Sequence, residues 1–230
     1  MAKSINRLLV ANRGEIAVRI MRSANALGIE TVAVFSEADR GTPHVLFADR
    51  AICIGPAQAA QSYLNIDAIM EAAAKTGADA VHPGYGFLAE NAAFAAACAA
   101  ANLTFVGPSV EAIELMGNKR EAKVRMLEAG VPCVPGYSGI DQSDQVLIKE
   151  AADIGYPLMV KAAAGGGGRG MRLVTAAEEL PGSLASARSE AASAFGSDEL
   201  ILERAIIRPR HVEGQGFADT HGNTIHLGER

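Results

Sequence analysis

From Arg7 to Val106 the chain alternates between short apolar runs of strand type and longer stretches with helical period, and few architectures accept that order. Arg7 to Ala11 reads as a strand. Glu15 to Leu27 reads as a helix, with Ile16, Ile20 and Leu27 on or near one face and Gly28 to close it. Strands follow at Thr31–Phe35 and Ala51–Ile54, a helix at Ile66–Lys75, a strand at Ala78–Val81, a helix at Asn91–Ala101 and a strand at Leu103–Val106. This alternation predicts a doubly wound α/β domain, a parallel sheet with helices on both faces. Ligands in such sheets sit beyond the carboxyl ends of the strands. Two glycine-bearing loops fall there: Asn12-Arg13-Gly14, and HPGYGFLAEN from His82 to Asn91.

The second half has a different texture. Four consecutive glycines, Gly165 to Gly168, lie between two apolar runs, Pro157–Val160 and Met171–Val174. A flexible linker would be flanked by polar residues on both sides. A hairpin whose tip must approach a ligand closely fits better, because glycine lets backbone N–H groups converge on an anion. Lys161, ending the first run, would be the point-charge partner of a phosphate, or else simply a solvated lysine at a strand end. A P-loop is excluded because no Gly-Lys pair occurs. The dinucleotide pattern is met trivially by Gly165, Gly167 and Gly170, but a strand follows them where a helix is required. The remaining reading is a glycine hairpin that folds over the phosphates of a nucleotide.

Composition narrows the function class. The 230 residues are 49% apolar and 20% charged, as in globular domains. With 5% aromatics and no tryptophan, alanine and aliphatic residues must build the core. A net charge of −5 argues against a general nucleic-acid binder. Cys53, Cys98 and Cys133 are far apart and odd in number, so reduced thiols in a cytoplasmic protein are expected. The apolar run Leu8–Ala11 is too short for a signal peptide, and Ala92–Ala101 is too short to span a membrane, so no membrane partner is expected.

After a break at Gly107-Pro108, Ser109 caps a short helix and Lys119–Ala129 forms another, stopped by Gly130. GVPCVPGY, 130–137, is turn-rich and reads as a boundary. A helix over about Gln145–Ile154, the glycine hairpin and a helix from Thr175 follow, the last with Thr175-Ala-Ala-Glu178 in the form of a capping box, although Pro181 would suit a later start. Strands are expected at about Glu199–Ile206, Arg210–Ala218 and Thr224–Leu227. Lys119 is a lysine at the positive end of a helix, a placement explained if it faces an anion. Glu203 is either an edge-strand charge or part of a strand that meets adenine or ribose. His211 and Glu213, two apart, point to one side of a strand, as a surface ion pair or as a pair facing nucleotide. No convincing pair of carboxylates for Mg²⁺ lies near the glycines.

Together the stretches ANRGEIAVRI, HPGYGFLAEN, FVGPS, MGNK, AGVPCVPG, KAAAGGGGRGMRLV and PRHVE resemble the biotin carboxylases, the ATP-grasp components of biotin-dependent carboxylases. They occur in family order over nearly the whole chain, and KAAAGGGGRGM resembles the carboxylases of acyl-CoA systems in particular. The resemblance implies a pre-ATP-grasp, Rossmann-like domain over 1–117 and an incomplete α+β ATP-grasp domain over 118–230, with a lid at about 134–206 and the start of a large subdomain at 207–230. It implies that ATP activates bicarbonate to carboxyphosphate, and that the carboxyl group then passes to a biotin ring nitrogen. By resemblance Lys119 and Lys161 contact ATP phosphates, and Gly167 and Gly168 belong to the lid. Glu203, Arg204, Ala205 and Ile206 hold adenine, and His211 the sugar side. Glu213 lies near the reacting centre as the catalytic candidate, while Tyr85 and Gly86 border biotin. The implied partners are a biotin carboxyl carrier protein or domain, a carboxyltransferase component and bicarbonate, with a homodimer of the full-length protein possible.

Two departures qualify this. Gly214 and Gly216 stand where the family has apolar residues. Within a central strand each glycine costs about 0.5–1 kcal/mol, and each lost buried aliphatic about 1.5–3 kcal/mol more. The family's metal-binding E-x-N-x-R strand and its Gln-Arg-Arg segment occur nowhere in these residues. The Mg²⁺ ligands are therefore expected beyond Arg230, and the chain is expected to be an N-terminal fragment that cannot turn over alone. Rival readings are another ATP-grasp ligase, which has no reason to carry HPGYGFLAEN, and a non-catalytic nucleotide-binding module. An NAD-binding oxidoreductase lacks its fingerprint where ANRGE stands. The final carboxyl acceptor is not encoded in these residues.

Overall fold

A computed structural model describes residues 4–165 and 170–230, and the fold divides into two compact units, up to Ala122 and from Lys123 onward. The first unit runs β1 (Arg7–Val10), α1 (Gly14–Ala26), β2 (Glu30–Ser36), α2 (Pro43–Phe47), β3 (Arg50–Gly55), α3 (Ile66–Thr76), β4 (Ala80–His82), α4 (Ala92–Ala100), β5 (Thr104–Phe105) and α5 (Val110–Gly117). Its five strands are parallel in the order β3-β2-β1-β4-β5. The alternation of β1 explains why both faces are covered. Leu9 and Ala11 join Val32, Ile69, Val81 and Phe94 on one face, and Leu8 and Val10 join Ala17, Met21 and Ala24 of α1 on the other. Helix starts follow the short polar residues: the side chains of Asn65, Asn91 and Ser109 accept from Ala68, Phe94 and Ala112 N–H. The elements expected in this half are all present, within two residues at each end.

Helix α6 (Lys119–Glu128) carries the chain across the division. The second unit continues with β6 (Gly136–Tyr137), α7 (Asp144–Ile154), β7 (Leu158–Ala162), β8 (Arg172–Val174), α8 (Leu180–Phe195), β9 (Leu200–Arg204), β10 (Gly214–Ala218) and β11 (Thr224–Glu229). Strands β6-β9-β7-β8 form an antiparallel sheet, and β10 and β11 a separate two-stranded ribbon. Strands β7 and β8 are the two arms of the glycine hairpin, with Leu158 opposite Val174 and Val160 opposite Arg172. Gly167 and Gly168, between the two arms in sequence, lie outside the described residues. Leu158, Val160, Leu200 and Leu202 bury one face of the sheet against Leu147 and Ala151 of α7 and Leu180, Leu184 and Ala187 of α8.

Three local expectations change. The turn-rich stretch 130–137 lies inside the second unit, where Gly136 and Tyr137 pair with β9. Helix α8 begins at Leu180 rather than Thr175, with Pro181 in its first turn, because proline lacks the N–H that an interior position needs. The backbone and hydroxyl of Thr175 bond the Glu179 carboxylate, not that of Glu178. His211 and Glu213 precede β10, which begins at Gly214, although the Glu213 N–H and C=O exchange hydrogen bonds with Arg230 (2.8 and 2.9 Å) at the end of the ribbon. No helix among the described residues is long and apolar enough to cross a membrane.

Candidate functional site

The strand order of the first unit reverses between β2-β1 and β1-β4, so a crevice is expected beyond the ends of β1 and β4. The side chain of Asn12 fills it. Asn12 Nδ2, buried, donates to the carbonyls of Pro83 (2.8 Å) and Tyr85 (2.9 Å), and its Oδ1 accepts from Arg13 N–H. The N–H of Gly84 donates to His82 Nδ1 at 3.0 Å, on an imidazole whose pKa burial pushes below the usual value. Gly84 has φ +68°, and a Cβ there would sit 2.6 Å from Asn12 Nδ2, so the turn and the clamp beneath it require glycine. The loop so held presents Tyr85, 67% exposed, with Gly86 beside it. Nearby, the Arg13 guanidinium lies over the stacked rings of Tyr63 and Phe87 and pairs with Asp39 at 3.3 Å.

In the second unit the period of two places the charged residues. Since Leu158 and Val160 face the helices, Met159 and Lys161 face the other way; on β9 the same reasoning turns Glu203 toward them. Lys161 pairs across the ladder with Ile201 and Met159 with Glu203, so Lys161 and Glu203 are diagonal neighbours. Lys161 Nζ lies 2.5 Å from Glu203 Oε2, and Lys123 Nζ of α6 lies 2.7 Å from Oε1. The side chains of Lys123, Glu203 and Lys161 are 7%, 14% and 26% exposed. Burial pushes the Glu203 pKa up, but the hydrogen bonds and charges of the two lysines outweigh it and hold the carboxyl below its ordinary value.

Beside this triad opens a cavity of about 280 Å³ with Val134, Met159 and Met171 among its apolar lining and Lys161, Glu203 and Arg204 as its charged residues. Arg204, Ala205 and Ile206 form its rim. The rim backbone is tied down: Arg204 N–H donates to Pro135 O and Ala205 N–H to Pro157 O, while the Arg204 guanidinium caps Ile154 O of α7. A largely apolar cavity with a lysine among its lining residues suits an apolar heterocycle that carries an anionic group.

The structure thus gathers Lys161, Glu203, Arg204, Ala205 and Ile206 at one cavity. Lys119 opens α6 in the first unit, where Asn118 Oδ1 caps the helix by accepting from Arg120 and Glu121 N–H. Tyr85 and Gly86 lie on the β4 loop of that unit. His211 and Glu213 are within 3.3 Å of each other and exposed, and Glu213 also holds Arg230 at 3.0 Å. Lys123 and Asn12 were not anticipated. Lys123 sits one turn after Lys119, but nothing in the local sequence marks it as the buried lysine; Asn12 stood inside a loop already marked as ligand-facing. Among the described residues no three His, Cys, Asp or Glu side chains gather as a metal set.

Residues 4–113 match the biotin carboxylase N-terminal domain, and residues 118–230 the ATP-binding domain of the carbamoyl-phosphate synthase L chain. Biotin carboxylase 1 of Bacillus subtilis is 54% identical over 226 residues, 98% of this chain and 50% of that protein. A crystal structure of a biotin carboxylase–β-γ-ATP complex from Campylobacter jejuni superposes with a TM-score of 0.96 at 49% identity, over 98% of this chain and 51% of that one. The biotin carboxylase domain dimer of Hydrogenobacter thermophilus 2-oxoglutarate carboxylase, in complex with MgADP, ADP and bicarbonate, gives 0.94 at 47% identity, over 99% of this chain and 50% of that one. The chain spans about half the length of these bacterial relatives.

Proposed function

The chain belongs to the biotin carboxylase family, and from that premise we propose that it supplies the nucleotide half of an ATP-dependent carboxylation of biotin by bicarbonate. The observation that carries this is the cavity of the second unit, largely apolar and lined by Lys161 beside Glu203. Adenine lies against Met159 and Met171 along the rim Glu203–Ile206, and Lys161 meets the phosphates as a point charge. Lys119 is a second phosphate contact, and Gly167 and Gly168 close over the phosphates. His211 faces the sugar. Glu213 stands near the reacting centre, where its contact with His211 and Arg230 would orient the carboxylate. Tyr85 and Gly86 border biotin, on a loop made rigid from below by Asn12 and His82. The working division is 1–117 for the biotin-side domain and 118–230 for the ATP-grasp part.

In this reaction a bicarbonate oxygen attacks the γ-phosphorus and ADP leaves; the carboxyl of the resulting carboxyphosphate passes to a biotin ring nitrogen as phosphate departs. Mg²⁺, bound to the nucleotide, would neutralise developing phosphate charge. A biotin carrier, a carboxyltransferase and a second copy of the full-length protein are the partners this reading calls for. The three unpaired cysteines fit a reducing, cytoplasmic setting. The chain is expected to bind ATP, and the protein to cleave it when bicarbonate and biotin are both supplied. ATP cleavage stimulated by an amine and indifferent to biotin would assign the site to a different ATP-grasp ligase.

A further inference from the structure

Lys123 is the most buried lysine of the site, yet it does not line the cavity. A lysine so placed is costly unless its charge is matched. Its match is one oxygen of a carboxylate whose other oxygen holds Lys161. The division of the carboxylate has an electrostatic consequence. Two ammonium groups and one carboxylate leave a surplus of one positive charge, whereas Glu203 facing Lys161 alone would leave none. The low exposure of the triad keeps that charge poorly screened.

We propose that Lys123 is a positioning residue for nucleotide binding. By occupying Glu203 Oε1 it fixes the carboxylate so that Oε2 orients Lys161, and it leaves the phosphate end of the cavity net positive. The inference rests on the reading of this cavity as an ATP site and deepens it, because it separates recognition of the phosphates from recognition of the base. Lys123 acts through Glu203 and Lys161, so its loss weakens ligands in proportion to their phosphate charge and leaves the nucleoside portion untouched.

The test is calorimetric titration of ATP and of adenosine into the wild-type chain, Lys123→Met, Lys123→Gln and Lys123→Arg. Lys123→Met and Lys123→Gln are expected to lose roughly tenfold in ATP affinity while adenosine affinity stays within about twofold, and Lys123→Arg is expected to keep both. Adding Glu203→Gln to Lys123→Met returns the net charge to +1 and is expected to recover ATP affinity relative to Lys123→Met. The glutamine variant, which can still bond the carboxylate, keeps the test available if the methionine variant does not fold. Equal loss of ATP and adenosine binding would reduce Lys123 to a structural residue and overturn the proposal, as would unchanged ATP binding in the glutamine variant. Failure of the wild-type chain to bind ATP would instead overturn the nucleotide site itself.

Discussion

Glu203 serves two lysines with one carboxylate, so removing it exposes a charge that the fold otherwise keeps matched. Glu203→Ala leaves Lys123 buried beside a second ammonium, and the expected cost is about 3–5 kcal/mol, measured by urea unfolding at pH 7. The pH dependence has a definite sign. The carboxyl is held below its ordinary value of 4.5 by its hydrogen bonds and charges to Lys123 and Lys161, which together outweigh the opposing effect of burial. Its stabilising contribution is therefore complete above that value and is lost as pH falls through the lower, folded-state pKa. The stability difference between wild type and Glu203→Gln should shrink on acidification below about pH 4.5; a gap that stays constant to about pH 3 would contradict the assignment. Lys161 was legible from sequence, as a charge ending an apolar strand before glycines. Lys123 was not, because its partner lies 80 positions away and a helix as charged as KREAKVRMLE does not reveal which lysine is buried.

At the scale of elements, the loop after β4 is held by a single side chain from the loop after β1. Asn12→Ala strands two carbonyls and is expected to cost about 1–3 kcal/mol, read as a lowered denaturation midpoint. Asn12→Asp should be worse, since an acceptor would then face both carbonyls. The glycines of β10 behave differently from the sequence expectation. That strand is exposed and paired only with β11; an added Cβ meets nothing at Gly214, and only Ile225 O at 3.8 Å at Gly216. Within these residues no buried aliphatic is lost there, and Gly216→Ala is expected to stabilise by about 0.4–1 kcal/mol, seen as a raised melting temperature. Most of the parallel strands and their helices were legible because they carry an apolar run or a helical period of their own, and α3, α4 and α5 also a capping Asn or Ser; the short α2, with no side-chain cap, was not. The two-residue strand Gly136–Tyr137 was not, because it has no period and exists only through pairing with β9. The helix start at Leu180 needed Pro181 to be weighed above a capping-box pattern.

For the whole molecule, the two larger of the three sheets in the described residues differ in kind: a doubly wound parallel one in the first unit, and in the second an antiparallel one that leaves its second face free of helices α7 and α8. That free face is the proposed seat of ATP. Sequence reasoning reached it through the glycine run, although Gly167 and Gly168 themselves lie outside the described residues. The cavity beside the face needed the packing of Val134, Met159 and Met171, which no local pattern announces. Lys161 is proposed to meet the phosphates of a nucleotide held in that cavity. Calorimetric titration of ATP into the wild-type chain and into Lys161→Met is the decisive test. Saturable binding by the wild type is expected, weakened roughly 10- to 100-fold in the variant. Absence of ATP binding by the wild type, or equal binding by the two proteins, would contradict it.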